Sequence, residues 1–416
     1  MSSNTIPPLP TLPLQLMLTM GCWLSSPFAL RCAKSAFPFW SSAAESLDPN
    51  PAPNPDPLAN QNLASVPDPL EQAIRDEAEN RANSLLSGVL RYVDSSYTRR
   101  VSEPPVIWQK GNARLLDYGV YAPAAHTDQP IVLFVPSLIN RYYIFDLEEE
   151  RSFIRFLAQQ GIYSLVLDWG TPGETEAAFN CNDYVTEILI PAITYITNVA
   201  KQRVILAGYC MGGVLSLAAA KLQRQKIAAL ALFATPWDFS CEAFFPFIVD
   251  QQWHPWIERL ILEQKQLPAD VIQSLFTLTA PWVFEQKFRR FATIPEDSNA
   301  ARQFVVLERW VNDGVPMTAP VARDCMIGWA QQNILSKCQW KVGKTRIDPK
   351  TLRMPAFVVV PKNDHVVPQE CAIPLAEAIP GAQLVRPKSG HVSMMVGSSA
   401  KRELWLPFLE WVSSIN

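Results

Sequence analysis

Gly208-Tyr209-Cys210-Met211-Gly212-Gly213 is the stretch from which the rest of the chain can be read. It follows an apolar, β-rich run, Val204–Ala207, and opens a helical run that starts at Val214. Strand, tight turn and helix in that order make the setting of a G-x-S-x-G nucleophile elbow, here with Cys in place of Ser. The glycines have a steric reason. Such a turn holds its central residue in a strained backbone conformation, and side chains at 208 and 212 would strike the neighbouring strand and helix. Cys210 is thereby carried out at the carboxyl end of a strand, beside a helix N-terminus that favours a thiolate. The N–H of Met211 is placed to donate to an oxyanion. The same six residues would also suit a structural turn around a buried cysteine.

Outward from the elbow, short apolar runs recur at Ile131–Val135, Tyr163–Asp168, Ala228–Phe233, Phe357–Val360 and Gln383–Val385. Helical stretches separate them, among them Leu147–Gln160, Asp183–Ala200 and Gly212–Gln223, and a hairpin around Gly111-Asn112 precedes them, spanning Val106–Tyr121. Buried strands alternating with helices predict an α/β fold: an α/β-hydrolase-like, mostly parallel sheet with helices on both faces. The alternation breaks between 237 and 345, a block rich in Trp, Phe and Gln that reads as an inserted helical cap. The expected core is therefore 101–236 together with 346–416.

In such a fold the partners follow in the order nucleophile, acid, base. Asp364 sits directly after the run Phe357–Val360, and His391 after the last strand. Both fall in loops at carboxyl strand ends, the functional edge of an open α/β sheet. His391 is expected to take the Cys210 proton and Asp364 to orient the imidazole. Of the other three histidines, His126 precedes the sheet and His254 lies in the cap; His365 reads either as a donor behind Asp364 or as a plain loop residue. The second oxyanion donor should come from the loop after Ile131–Val135, as the backbone N–H of Ser137 or Leu138, with Asn140 fixing the loop.

Composition narrows the function classes. The chain has 416 residues, of which 48% are hydrophobic and 18% charged, enough apolar material for one large core. With 36 basic against 39 acidic residues it has no excess of positive charge to neutralise a nucleic-acid backbone. The eight cysteines form no C-x-x-C pair and the four histidines have no helical ligand spacing, so neither a disulfide scaffold nor a metal site is expected, and a reducing, cytoplasmic setting is. The stretch Leu12–Leu30 is apolar but interrupted by Pro13, Gln15, Thr19, Ser25, Ser26 and Pro27, and no Lys or Arg precedes Arg31. This argues against a transmembrane segment and a secretory signal, and leaves an arm, 1–67, that either packs on its own domain or lies at an interface through Trp23, Phe28, Phe37, Phe39 and Trp40. Pro49, Pro51, Pro53, Pro55 and Pro57 mark the end of that arm as an extended linker, and 68–100 reads as one helix starting at Asp68-Pro69.

With these residues in hand, the chain resembles the polyhydroxyalkanoate synthase family. The resemblance is carried by Val-Pro-Ser-Leu-Ile-Asn-Arg-Tyr-Tyr-Ile-Phe-Asp-Leu at 135–147, Leu-Asp-Trp-Gly-Thr-Pro at 167–172, Asn182-Asp183-Tyr184, the Cys210 turn, Ala-Thr-Pro-Trp-Asp-Phe at 234–239, Glu308-Arg309-Trp310, Asp364-His365 and Ser389-Gly390-His391. The Asp-Trp-Gly form is most similar to the short synthases that act with a second subunit. The resemblance implies a covalent thioester on Cys210, His391 as base, Asp364 as acid, hydroxyacyl-CoA as substrate with no cofactor beyond that coenzyme A thioester, and polymerisation at a polyester granule surface. It also implies a second synthase subunit or a homodimer as partner. Chemistry independent of the family agrees with Cys: a thiolate exchanges with a CoA thioester at little free-energy change, whereas a Ser ester would lose that activation. The residues alone leave open a Cys-dependent thioesterase or polyester hydrolase, and a catalytically inactive granule scaffold.

Overall fold

A run such as Ile-Val-Leu-Phe-Val can sit in a sheet only if both of its faces are covered, and all five of its residues are buried. The computed structural model of the protein describes residues 9, 12–34, 69–97, 99–122, 130–241 and 254–415. The proline-alternating linker, Phe37, Phe39, Trp40 and His126 lie outside them. The strands of the main sheet, in chain order, are β1 (Val106–Lys110), β2 (Ala113–Asp117), β3 (Ile131–Val135), β4 (Tyr163–Asp168), β5 (Val204–Tyr209), β6 (Ile227–Phe233), β7 (Ala356–Val359) and β8 (Gln383–Val385). They form one sheet in the order β1-β2-β4-β3-β5-β6-β7-β8. β1, β2 and β4 pair antiparallel; every pairing from β4 through β3 to β8 is parallel. Register aligns Val135 with Gly208, Gly208 with Leu232, and Val359 with both Phe233 and Val385. The loops that follow β3, β5, β7 and β8 therefore leave the sheet at one edge.

The longer α-helices among the described residues are α1 (Leu12–Lys34), α2 (Pro69–Val93), α3 (Phe153–Gln159), α4 (Ile190–Ala200), α5 (Met211–Leu222), α6 (His254–Gln264), α7 (Ala269–Thr279), α8 (Pro281–Thr293), α9 (Asn299–Asn312), α10 (Gln369–Ala378) and α11 (Leu406–Ser413). The chain divides into two compact units: one takes in residues 98–279 and 306–416, the other 9–97 and 280–305.

The first unit holds the sheet. Its core is an aromatic cluster in which the Phe408 ring lies 6.1 Å or less from those of Phe134, Phe153, Phe233, Phe357 and Trp411. Phe408 has no exposed surface, and with Trp411, whose ring lies 5.2 Å from that of Phe357, it fastens the tail helix α11 to the sheet. Phe408→Ala should cost about 3–5 kcal/mol of stability through lost burial and the cavity left behind, read as a lower urea midpoint with an unchanged slope. Between β6 and β7 the same unit carries α6, α7 and a π-helical turn, Asp324–Gln331.

In the second unit α1 and α8 pack on α2. Tyr92 meets Phe288 edge-on at 5.8 Å, Phe291 stacks on Phe304 at 4.2 Å, and Arg91 donates to the Phe291 and Ile294 carbonyls at 2.9 and 2.5 Å. The apolar stretch near the start of the chain is thus a helix packed on other helices of its own chain. No helix among the described residues is long and apolar enough to cross a membrane.

Several boundaries differ from the sequence expectation. The helix expected from Leu147 starts only at Phe153, because the preceding residues are drawn into a loop around Asp146, a fully buried carboxylate that binds Arg155 at 2.7 Å, Arg99 at 3.3 Å and the Tyr118 hydroxyl at 2.9 Å. The stretch 183–200 is a π-helical segment, Tyr184–Leu189, running without a break into α4, and Pro191, which has no N–H to donate, sits just where the wider turns end.

Candidate active site

Cys210 is the N-cap of α5 and has φ 53° and ψ −124°, a conformation costly for a residue with a side chain. The elbow holds it there from both ends: Cys210 N–H donates to the Phe233 carbonyl at 2.8 Å, and its carbonyl accepts from Gly213 N–H at 2.9 Å. The flanking glycines are required by close approach. A Cβ on Gly208 would lie 2.5 Å from Gly213 Cα and 2.7 Å from the Gly212 carbonyl oxygen, and one on Gly212 would collide with the carbonyl oxygens of Val135 and Pro136. Gly212 therefore lets the loop after β3 lie directly against the start of α5.

His391 and Asp364 meet on the same edge. Asp364 Oδ2 is 2.7 Å from His391 Nδ1, and Asp364 Oδ1 accepts the Val366 and Val367 N–H groups at 2.8 Å each. Both of its oxygens are thereby aimed, one at the ring and one at its own backbone. The imidazole also hydrogen-bonds the Cys210 side chain. Burial on its own would depress the imidazole pKa, but the Asp364 charge, with the sulfur of Cys210 and both hydrogen bonds, outweighs it and holds the group up at about 10. At neutral pH the ring is thus held as an imidazolium beside Asp364 and Cys210. Tyr209, the residue before the cysteine, lies against this ring at 5.0 Å between centroids, and its hydroxyl donates to the His391 carbonyl at 3.4 Å. Burial, with the negative charges of Cys210 and Asp364, pushes the Tyr209 phenol well above its usual range, so it stays a neutral donor.

Cys210 opens on a cavity of about 100 Å³. Besides Cys210 and Cys325 its lining is made of apolar and aromatic residues: Ile139, Met211, Pro236 and Phe239, then Ile272, Leu275 and Phe276 of α7, Met317, Met326, Trp329 and Ala330, and Val366 and Val367. The π-helical turn supplies Cys325, Met326, Trp329 and Ala330 to one wall, which fits the tendency of such turns to occur where a helix face must be re-aimed at a site.

Of the other residues singled out in the sequence, Met211 is the first residue of α5, where backbone N–H groups have no partner within the helix. Ser137 and Leu138 are buried in the loop whose preceding carbonyls touch Gly212. Asn140 is bridged antiparallel to Gly314. His365 is exposed and makes no side-chain hydrogen bond to a described residue, so it is not brought into the cluster. Among the described residues no group of three His, Cys, Asp or Glu side chains gathers as a metal site would require.

Sequence reasoning missed Tyr209, although its place beside Cys210 was a signal, and the cavity wall from 272–276 and 325–330, whose spacing reads only as amphipathic helix. It also missed what the Asp-Trp-Gly stretch does. Asp168 pairs with Arg114 of β2 at 2.6 Å, and Trp169 Nε1 donates to the Pro136 carbonyl at 2.9 Å, so Trp169 braces the loop after β3 and neither residue lines the cavity.

Two family descriptions match this chain: "alpha/beta hydrolase fold" over residues 130–398, and "Poly-beta-hydroxybutyrate polymerase (PhaC) N-terminus" over residues 99–157. Curated relatives include the "Poly(3-hydroxyalkanoate) polymerase subunit PhaC" of Haloarcula marismortui, 26% identical over 74% of this chain and 67% of that protein. The protein of the same name from Haloferax mediterranei is 27% identical over 74% of this chain but only 63% of its own length, and that from Synechocystis is 25% identical over 70% and 80%. Among solved structures, the thioesterase domain from the curacin biosynthetic pathway matches at 14% identity and TM-score 0.45, covering 76% of this chain and all of that one.

Proposed function

Because the chain belongs to the α/β-hydrolase fold family, matched over residues 130–398, we propose that its strained cysteine works as that family's nucleophile, in an acyltransferase that joins 3-hydroxyacyl units from coenzyme A thioesters into polyhydroxyalkanoate. The observation that carries this reading is Cys210 itself, held in a strained turn beside a charged imidazole and opening on an apolar cavity. The names of the relatives supply the substrate class.

In this reading the Cys210 sulfur attacks the thioester carbonyl. The oxyanion that develops is received by the N–H of Met211 and by one from Ser137 or Leu138. Collapse expels coenzyme A thiolate, which takes the proton that His391 holds, and Asp364 keeps the ring aimed throughout. The acyl group now sits on sulfur, still activated. The hydroxyl of the next unit gives its proton to His391 and attacks, forming the ester and returning the thiolate. Water would compete for the acyl-enzyme, and an apolar wall disfavours water. The relatives are named as subunits, and we extend to this chain a second polypeptide or a second copy as partner, with the polymer surface as its place of work.

The test is direct. Purified protein given 3-hydroxybutyryl-CoA is expected to release coenzyme A thiol and polyester together. Thiol release with only free hydroxyacid would identify a thioesterase instead, and neither product would reject both.

A further inference from the structure

We propose that Asp313 is a positioning residue for acyl transfer: it fastens the segment Trp310–Val315 to the loop Ile139–Tyr143, and so fixes the backbone N–H groups that receive the oxyanion. The inference rests on the reading of Cys210 as the acylated nucleophile and deepens it.

Four hydrogen bonds, one of them part of a β-bridge, join the two segments. Asp313 Oδ1 accepts from Arg141 Nε at 3.3 Å, and Oδ2 accepts from the Tyr143 hydroxyl at 2.7 Å. Trp310 Nε1 donates to the Arg141 carbonyl at 2.9 Å, Val315 N–H donates to the Ile139 carbonyl at 2.9 Å, and Asn140 is bridged to Gly314. The strap thus behaves as a short extra strand laid along the loop, with one carboxylate gripping two side chains of it.

Ser137 and Leu138 lie between fixed points. On one side Val135 and Pro136 are pressed against Gly212, and Trp169 holds the Pro136 carbonyl. On the other side the strap begins at Ile139, and Asp146 anchors the loop's far end through Arg99 and Arg155. Ser137 and Leu138 are left to carry the oxyanion donors, bridged within the loop by the Ile139 N–H donating to Ser137 Oγ at 3.4 Å, and donors of this kind act only when they are held in place before the reaction. Asp313 does not line the cavity, and its side chain is 36% exposed, so its influence on the reaction runs through the loop. An ion pair at that exposure contributes little to stability, so its removal should loosen the loop without unfolding the protein.

The experiment compares two reactions of the same sulfur in the full-length protein. Alkylation of Cys210 by iodoacetamide, followed by mass spectrometry of its peptide, needs the thiolate and no oxyanion hole. Single-turnover release of coenzyme A from 3-hydroxybutyryl-CoA needs both. In Asp313→Ala acylation should slow by about 10- to 100-fold while alkylation changes by less than about two-fold. Tyr143→Phe, which keeps the Arg141 pair, should show a smaller loss of the same selectivity, and Asp313→Asn should fall between the two. The proposal is overturned if acylation holds its wild-type rate in both Asp313→Ala and Tyr143→Phe, or if acylation and alkylation fall together. A wild-type protein that alkylates at Cys210 but releases no coenzyme A overturns the underlying reading, and the proposal with it; that outcome shows in the control and is distinct from a selective loss in the variants.

Discussion

Cys210→Ala is expected to lower coenzyme A release from 3-hydroxybutyryl-CoA by at least about four orders of magnitude, because the step has no route without the sulfur. Alanine meets the same backbone demand as cysteine at φ 53°, so the elbow should survive the change. The thermal midpoint should therefore stay close to that of the wild type while the rate collapses. That separation matters, since a loss of rate with a loss of fold would say nothing about chemistry. Cys210→Ser is the sharper companion. A serine hydroxyl holds its proton far more tightly than a thiol and is the weaker nucleophile, and any acyl group it accepts becomes an oxygen ester that no longer drives transfer. It should be nearly as slow as alanine, and whatever turnover is left should yield free hydroxyacid. An undiminished rate in Cys210→Ala would remove the catalytic reading and leave the fold.

Asp364→Asn should have the next largest effect, a fall in turnover of about 10³- to 10⁴-fold, by the precedent of orienting carboxylates in other triads. An amide can still reach His391 Nδ1, but it offers no charge and can present the wrong group to the ring. The pKa carries a second signature. Burial alone depresses the imidazole, and the Asp364 charge is the largest influence opposing it. Without that charge the imidazole should titrate far below its wild-type value of about 10, which NMR of the His391 ring would follow. The sign for stability follows. A histidine whose folded pKa is raised stabilises the fold fully below its unfolded pKa, about 6.5, and loses that contribution as pH rises through the folded value. The gap in stability between wild type and Asp364→Asn should be widest at and below about pH 6.5 and should close as pH approaches 10. A ring that titrates alike in both proteins would mean that the carboxylate does not set its charge.

The sheet was legible because strands buried on both faces leave an unmistakable trace: β3, Ile-Val-Leu-Phe-Val, has no polar residue, and β6, Ile-Ala-Ala-Leu-Ala-Leu-Phe, has none either. Helix starts were less legible. Residues 147–152 have helical composition, yet they serve the buried Asp146 network, and only the spatial neighbours Arg99 and Tyr118 reveal that demand. The arm at 12–34 was ambiguous for a similar reason: an apolar helix looks the same whether its partner is another helix or an interface, and α2 and α8, the helices it packs on, lie far along the chain.

The sequence by itself determined the elbow. Its demands are satisfied within six residues, where the absence of Cβ atoms at 208 and 212 is a local steric necessity that composition makes visible. It also determined which loops carry Asp364 and His391, because the order of strands along the chain dictates which loops reach the carboxyl edge. Only the tertiary structure decided the 2.7 Å contact between those two side chains, the apolar cavity in front of Cys210, and the grip of Asp313 on a loop some 170 residues earlier in the chain. Contacts of that span depend on how the whole chain closes, and a single sequence carries no periodicity or local steric rule that encodes them.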